Sequence, residues 1–152
     1  MATAAAKDID VLEQAKRALA RDYVPSDDEE YMGSAHQDYF RVLLLEWKRS
    51  ILESSSATLQ SLQDGPIREP DLNDRASSET DWGIELRTRD RQRKLISKIE
   101  AALRRIDKGE YGFCEVTGDP IGLKRLIARP VATMTVEAQE AHERREKISR
   151  DD

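Results

Sequence analysis

The stretch Phe40-Arg41-Val42-Leu43-Leu44-Leu45-Glu46-Trp47-Lys48-Arg49-Ser50-Ile51-Leu52 decides the fold. Along it and beyond, Phe40, Leu43, Leu44, Trp47, Ile51, Leu52, Leu59 and Leu62 recur at steps of three and four. That spacing puts apolar side chains on one face of an α-helix. Asp38, Arg41, Glu46, Lys48, Arg49, Glu53 and Gln60 take the other faces. Ser34 suits the N-cap, because its hydroxyl accepts a backbone N–H that has no helical partner. Asp64-Gly65-Pro66 ends the pattern, with Gly65 suited to the C-terminal cap. The helix so defined has about 30 residues and a length of about 45 Å.

Toward the C-terminus, Arg68-Glu69-Pro70-Asp71-Leu72-Asn73-Asp74 reads as a turn. A second long helix is predicted from about Arg75 to Lys108, closed by Gly109. Its seam reads Trp82, Leu86, Ile96, Ile99, Leu103 and Ile106, interrupted by Arg89 and Arg93. Two amphipathic helices of matching length, joined by a short turn, bury their stripes against each other or a partner. The economical arrangement is an antiparallel coiled-coil hairpin with its tip in the 66–74 turn. The polar interruptions weaken the pair locally, so its middle is expected to be less stable than its base.

Toward the N-terminus, residues 1–7 are Ala-rich and expected to fray. Ile9, Leu12, Ala15, Ala18 and Leu19 predict a short helix to about Asp22, stopped by Tyr23-Val24-Pro25. Asp27-Asp28-Glu29-Glu30 reads as a solvated acidic spacer. Past the second long helix the texture changes. Tyr111-Gly112-Phe113-Cys114 and Thr117-Gly118-Asp119-Pro120-Ile121-Gly122 are turn-rich. Leu123 to Pro130 reads as a short strand or an irregular segment. Thr133 or Thr135 caps a last helix from about Val136 to Ser149. Its acids (Glu137, Glu140, Glu143) precede its bases (Arg144, Arg145, Lys147), the order that suits the helix dipole.

Composition narrows the function. The 152 residues are 36% charged, 38% hydrophobic and 5% aromatic, which implies narrow apolar seams rather than one large core. A net charge of −5 argues against a general nucleic-acid coat. No apolar run approaches the roughly 18 residues of a membrane span, and the N-terminus lacks a basic-then-apolar leader pattern. Cys114 is the sole cysteine, which excludes an intrachain disulfide framework and any multi-cysteine metal site. The compartment expected is the cytosol.

Catalytic signals are absent: there is no Ser/His/Asp spacing, P-loop or dinucleotide fingerprint. His36 and His142 are read as surface residues. Cys114 is either a reactive thiol or, more simply, a small buried hydrophobe. Asp71 and Asp74 at the tip admit two readings. One is turn and N-cap chemistry. The other is a probe whose carboxylates reach a polar or metal-containing cleft in a partner. Arg87, Arg91, Lys94 and Lys98 recur at helical steps with Leu95 beside them. They form either a solvated face or a surface for anions such as phosphates.

The layout and motifs together resemble the DksA family of bacterial transcription regulators that bind RNA polymerase. The resemblance covers roughly residues 29–147. It is carried by Glu29-Glu30-Tyr31-Met32, by Asp71-Leu72-Asn73-Asp74-Arg75-Ala76 and by Glu85-Leu86-Arg87-Thr88-Arg89-Asp90-Arg91-Gln92-Arg93-Lys94-Leu95-Ile96. Tyr111-Gly112-Phe113-Cys114-Glu115 and Ile121-Gly122-Leu123-Lys124-Arg125-Leu126-Ile127-Ala128-Arg129-Pro130 complete it. The fold implied is mainly α. Residues 1–32 are an N-terminal helix and acidic linker, part of a globular domain. Residues 33–109 are the coiled-coil hairpin with its tip at 66–76, residues 110–134 a degenerate zinc-finger region, and residues 135–152 a C-terminal helix.

The function implied is a non-enzymatic, monomeric, cytoplasmic factor with no sequence-specific DNA binding and no membrane contact. It enters the secondary channel of RNA polymerase and, with ppGpp bound against the β′ subunit, modulates initiation. The matching tip residues are Asp71, Asp74 and Ala76. The matching ppGpp- and polymerase-contacting residues are Arg91, Leu95, Lys98 and Arg129. Gln139 stands where the family usually has a lysine. The family's two Cys-x-x-Cys pairs fall on Cys114, Thr117, Thr135 and Ala138, of which one is cysteine. Structural zinc needs four good ligands, so no zinc is expected, as in a single-cysteine, zinc-independent branch of the family. Packing by Phe113, Ile121, Leu123, Leu126, Ile127, Met134 and Val136 then has to hold the region. The rival readings are a transcript-cleavage or elongation factor in the same channel and a structural coiled-coil adaptor. A zinc-finger nucleic-acid binder is set aside by the missing cysteines and the acidic charge.

Overall fold

The computed structural model describes the backbone of residues 3–64 and 72–151, with side chains for 3–56 and 79–150. The mainly α architecture read from the sequence is the one found. Five helices follow in order: α1 (Ala4–Ala18), α2 (Ser34–Asp64), α3 (Leu72–Lys108), α4 (Leu123–Ala128) and α5 (Val136–Asp151). Among the described residues the β structure is one isolated antiparallel bridge, Phe113 to Pro120. The chain forms two compact units. One comprises residues 1–45 with 101–152, the other residues 46–100.

The 46–100 unit is an antiparallel pair of helical segments from α2 and α3. Lys48 meets Glu100 at 3.5 Å, and Ser55 donates to Gln92 at 2.9 Å. Moving along α2 therefore moves backward along α3. The same sense holds in the other unit, where Arg41 reaches Asp107 at 3.3 Å. The inner line of α3 runs Glu85, Thr88, Gln92, Leu95, Ile99, Ala102 and Ile106, alternating steps of three and four. These are heptad steps.

That line corrects the expected seam. Ile99 and Ile106 are buried, but Leu86 is 44% exposed and Leu52 is 47% exposed. Arg89 and Arg93 are exposed and do not interrupt the interface. The interruption is Gln92, which bonds Ser55 and Ser54 across the pair. Leu59 and Leu62 lie outside the described side chains.

In the other unit, Phe40, Leu44 and Leu45 of α2 and Ile99-proximal Ala102 and Ile106 of α3 supply buried apolar groups, together with Leu12 and Ala15 of α1. α1 begins earlier and ends earlier than expected. The Thr3 hydroxyl accepts the Ala6 N–H at 3.2 Å, which caps the Ala-rich start. Leu19 turns extended, with φ −102° and ψ 146°, several residues before Pro25. α3 likewise starts at Leu72, ahead of the expected Arg75.

The segment expected as strand or irregular, Leu123 to Pro130, contains the helix α4. Gly122 enters it at φ 102°, and Leu123 and Leu126 bury one face. The packing set is also revised. Ile121, Leu123 and Leu126 are buried, as are Tyr111, Cys114 and Ala132, whereas Ile127 and Val136 are 41% and 45% exposed. His36 is the largest correction: it is 1% exposed rather than on the surface.

Candidate functional site

Three regions bear on function: the basic face of α3, the tip, and the finger region after Gly109. On α3, Arg87, Arg91, Lys94 and Lys98 are all exposed. Their steps of four, three and four keep them on one face of the helix. Asp90 is occupied by Arg93 at 2.9 Å. Leu95 is half-buried on the inner line, so it flanks the basic row rather than belonging to it. Arg129 is exposed at the C-cap of α4, in the other unit. Gln139 donates to Glu143 at 3.1 Å along α5. At the tip, Asp71 lies outside the described residues, and so do the side chains of Asp74 and Ala76.

The finger region is built by hydrogen bonds that converge from outside it. The Tyr31 hydroxyl donates to the Gly112 carbonyl at 2.6 Å and accepts the Gly122 N–H at 2.9 Å. The Arg105 guanidinium donates to the carbonyls of Glu110 and Phe113, at 3.1 and 2.9 Å. The Tyr111 hydroxyl donates to Pro130 O at 2.7 Å. Arg125 Nε donates to Met134 O at 3.0 Å. Burial raises the ionisation of Tyr31 and Tyr111, so both stay neutral donors.

Ahead of α2, His36 Nδ1 accepts the Met32 N–H at 3.1 Å. Its Nε2 faces Ser26 O and Glu29 Oε2, each at 3.2 Å. Tyr23 donates to the same Glu29 carboxylate. Loss of solvent and this carboxylate push the Tyr23 phenol up to about 12. The acidic stretch expected as a solvated spacer therefore contributes an anchor through Glu29. Sequence spacing carried no signal for it, because the partners are set by the turns between residues 23 and 33.

Cys114 is buried, with 4% of its surface exposed. Burial raises its thiol, but the Thr117 hydroxyl and the N–H groups of Thr117, Thr135 and Val116 outweigh it, lowering it to about 6. The positions that a four-cysteine finger gives to zinc hold one thiol, two threonines and an alanine. Structural zinc takes four thiolate, imidazole or carboxylate ligands, and this donor set supplies one. Among the described residues no group of three or more His, Cys, Asp or Glu side chains is placed to hold a metal ion. The residues do not fit zinc. Nor is any described helix long and apolar enough to cross a membrane.

Comparison with known proteins gives the lineage of this arrangement. Residues 36–106 match the family model "DnaK suppressor protein DksA, N-terminal domain", and residues 109–144 match "Prokaryotic dksA/traR C4-type zinc finger". The RNA polymerase-binding transcription factor DksA of Caulobacter vibrioides is 61% identical over 131 residues, covering 86% of this chain and 92% of that protein. Its namesake from Escherichia coli K12 is 39% identical over 125 residues, 82% of this chain and 83% of that one. The solved structure of transcription factor DksA2 from Pseudomonas aeruginosa superimposes with a TM-score of 0.70 at 38% identity, covering 90% of this chain and 98% of that chain. With the helix pair and the finger both matched, and relatives this similar along most of its length, the chain belongs to the DksA family.

Proposed function

We propose that this protein binds RNA polymerase and, with ppGpp, modulates transcription initiation, lowering it at stable-RNA promoters and raising it at others. The observation that carries the reading is the match to RNA polymerase-binding factors across 86% of the chain, at 61% identity. The antiparallel helix pair and the exposed basic row on α3 support it. In this reading the pair enters the secondary channel. Asp71 and Asp74, next to Ala76, act electrostatically on the catalytic region without performing chemistry of their own. Arg91 and Lys98 present their charge to the alarmone's phosphates, with Leu95 as the apolar edge of the row. Arg129 is a further basic contact, and Gln139 contributes a neutral amide where family members carry a lysine.

The division of labour follows the same proposal. Residues 1–32 and 110–134 form the holding body, 33–109 carries the active hairpin, and 135–152 adds a contact helix. The finger works without zinc. The protein acts as a monomer in the cytoplasm, against the polymerase β′ subunit and its bound ppGpp.

In-vitro transcription from a stable-RNA promoter, with and without ppGpp, tests this. The protein is expected to lower transcript yield, and more so with ppGpp. Asp74→Asn should keep polymerase binding and lose most of the regulation. Arg91→Ala should raise the half-maximal ppGpp concentration about tenfold, as expected for one charged hydrogen bond of about 1.4 kcal/mol. Unchanged transcription at every protein concentration would refute the reading. Stimulated RNA cleavage in backtracked complexes would support a cleavage factor instead, and failure to retain polymerase in a pull-down would support a structural adaptor.

A further inference from the structure

The family model for residues 109–144 is a C4-type zinc finger, yet the region is folded around residues that cannot hold the metal. The four former ligand positions are not left as loose ends. The Thr117 hydroxyl donates to the Cys114 sulfur, and so do the N–H groups of Val116 and Thr117 from the same turn. The Thr135 N–H donates to that sulfur from the other half of the finger. The Thr135 hydroxyl in turn accepts the Ala138 N–H at 3.2 Å, capping α5. Each position is thus bonded to another: Thr117 to Cys114, Thr135 to Cys114, Ala138 to Thr135. Backbone bonds brace the set, with Gly118 N to Cys114 O at 2.9 Å and Glu115 N to Thr133 O at 2.9 Å.

We infer that these four positions form a hydrogen-bonded junction, with the Cys114 sulfur as common acceptor, that joins the two halves of the finger as metal joins them in a four-cysteine relative. The inference rests on the zinc-independent reading above and adds the residues that replace the metal. Two consequences separate it from loss of zinc with packing alone. Cys114 and Thr117 must be energetically coupled, because an acceptor and its donor share one interaction. The four positions must also still converge, so that thiols placed there meet one ion.

The test uses the full chain. Wild-type protein refolded with equimolar zinc should retain none after desalting, and a chelator should leave its melting temperature unchanged. Cys114→Ala should lower the melting temperature by about 5 °C, as loss of a buried acceptor from a chain of this size implies. Thr117→Val should lower it by less, and the double variant by clearly less than the sum. T117C/T135C/A138C should bind one zinc ion per chain and become chelator-sensitive. Stoichiometric zinc in the wild type would overturn both the zinc-independent reading and the junction. A zinc-free wild type in which C114A and T117V are additive, or C114A is silent, would sink the junction alone. A folded three-cysteine variant that takes up no zinc would sink it too. Should that variant not fold, the Cys114–Thr117 cycle decides.

Discussion

His36 shows how a single side chain was misread from sequence. A lone histidine among Gln37, Asp38 and Tyr39 resembles a surface residue, yet its ring is enclosed by the turns before α2. Its Nδ1 accepts the Met32 N–H, which has no other route to a partner once buried. His36→Leu should cost about 1–3 kcal/mol by orphaning that donor. His36→Gln, whose amide offers an acceptor and a donor, should recover part of it. Urea denaturation of both variants checks this. Gly112 is a second case. It lies at φ 91°, and a Cβ there would sit 2.6 Å from Met32 Cγ. Gly112→Ala should cost about 2–4 kcal/mol through backbone strain and crowding together. The tyrosines set the alkaline limit. Tyr23 moves from 10.0 to about 12, and Tyr31 and Tyr111 shift in the same direction through burial. A raised acid is stabilising while protonated, so its contribution is whole below pH 10 and fades above it. Melting temperature should fall as pH rises past 10, and less steeply in Tyr111→Phe.

At the scale of helices, α2 was legible almost to its ends, because a long three-and-four stripe leaves few alternatives. The inner line of α3 was harder to see. Its Glu85, Thr88 and Gln92 keep the heptad register with polar side chains, while Leu86 keeps an apolar one outside it, so hydrophobicity pointed to the wrong face. The polar stretch sets where the pair opens. Amide hydrogen exchange should be faster at residues 52–55 and 84–92 than at 44–51 and 95–100. Replacing both sides of the polar contact, as Gln92→Leu with Ser55→Ala, should be neutral or stabilising and should slow that exchange. Loss of protection in the double variant would contradict the assignment. Gly83 lies in α3 with nothing within 4 Å of an added Cβ. Gly83→Ala should therefore stabilise the helix by about 0.5–1 kcal/mol. α4 escaped the sequence reading because six residues hold too few periods to distinguish a helix from a strand.

At the scale of the chain, the family was readable from ordered motifs, and the missing zinc ligands from simple counting. What replaces them was not, since N–H groups aimed at a sulfur belong to backbone conformation and leave no trace in residue type. The basic row was visible as spacing, but the half-buried place of Leu95 within it needed the partner helix. One further consequence comes from Tyr31, whose hydroxyl spans Gly112 and Gly122. The family models begin at residue 36 and end at residue 144, so a gene trimmed to those limits would discard the tyrosine and keep both glycines. Such a product should retain the circular dichroism of its long helices while trypsin cuts it readily at Lys124 and Arg125. Borders inferred from homology would here run through the middle of a structural unit.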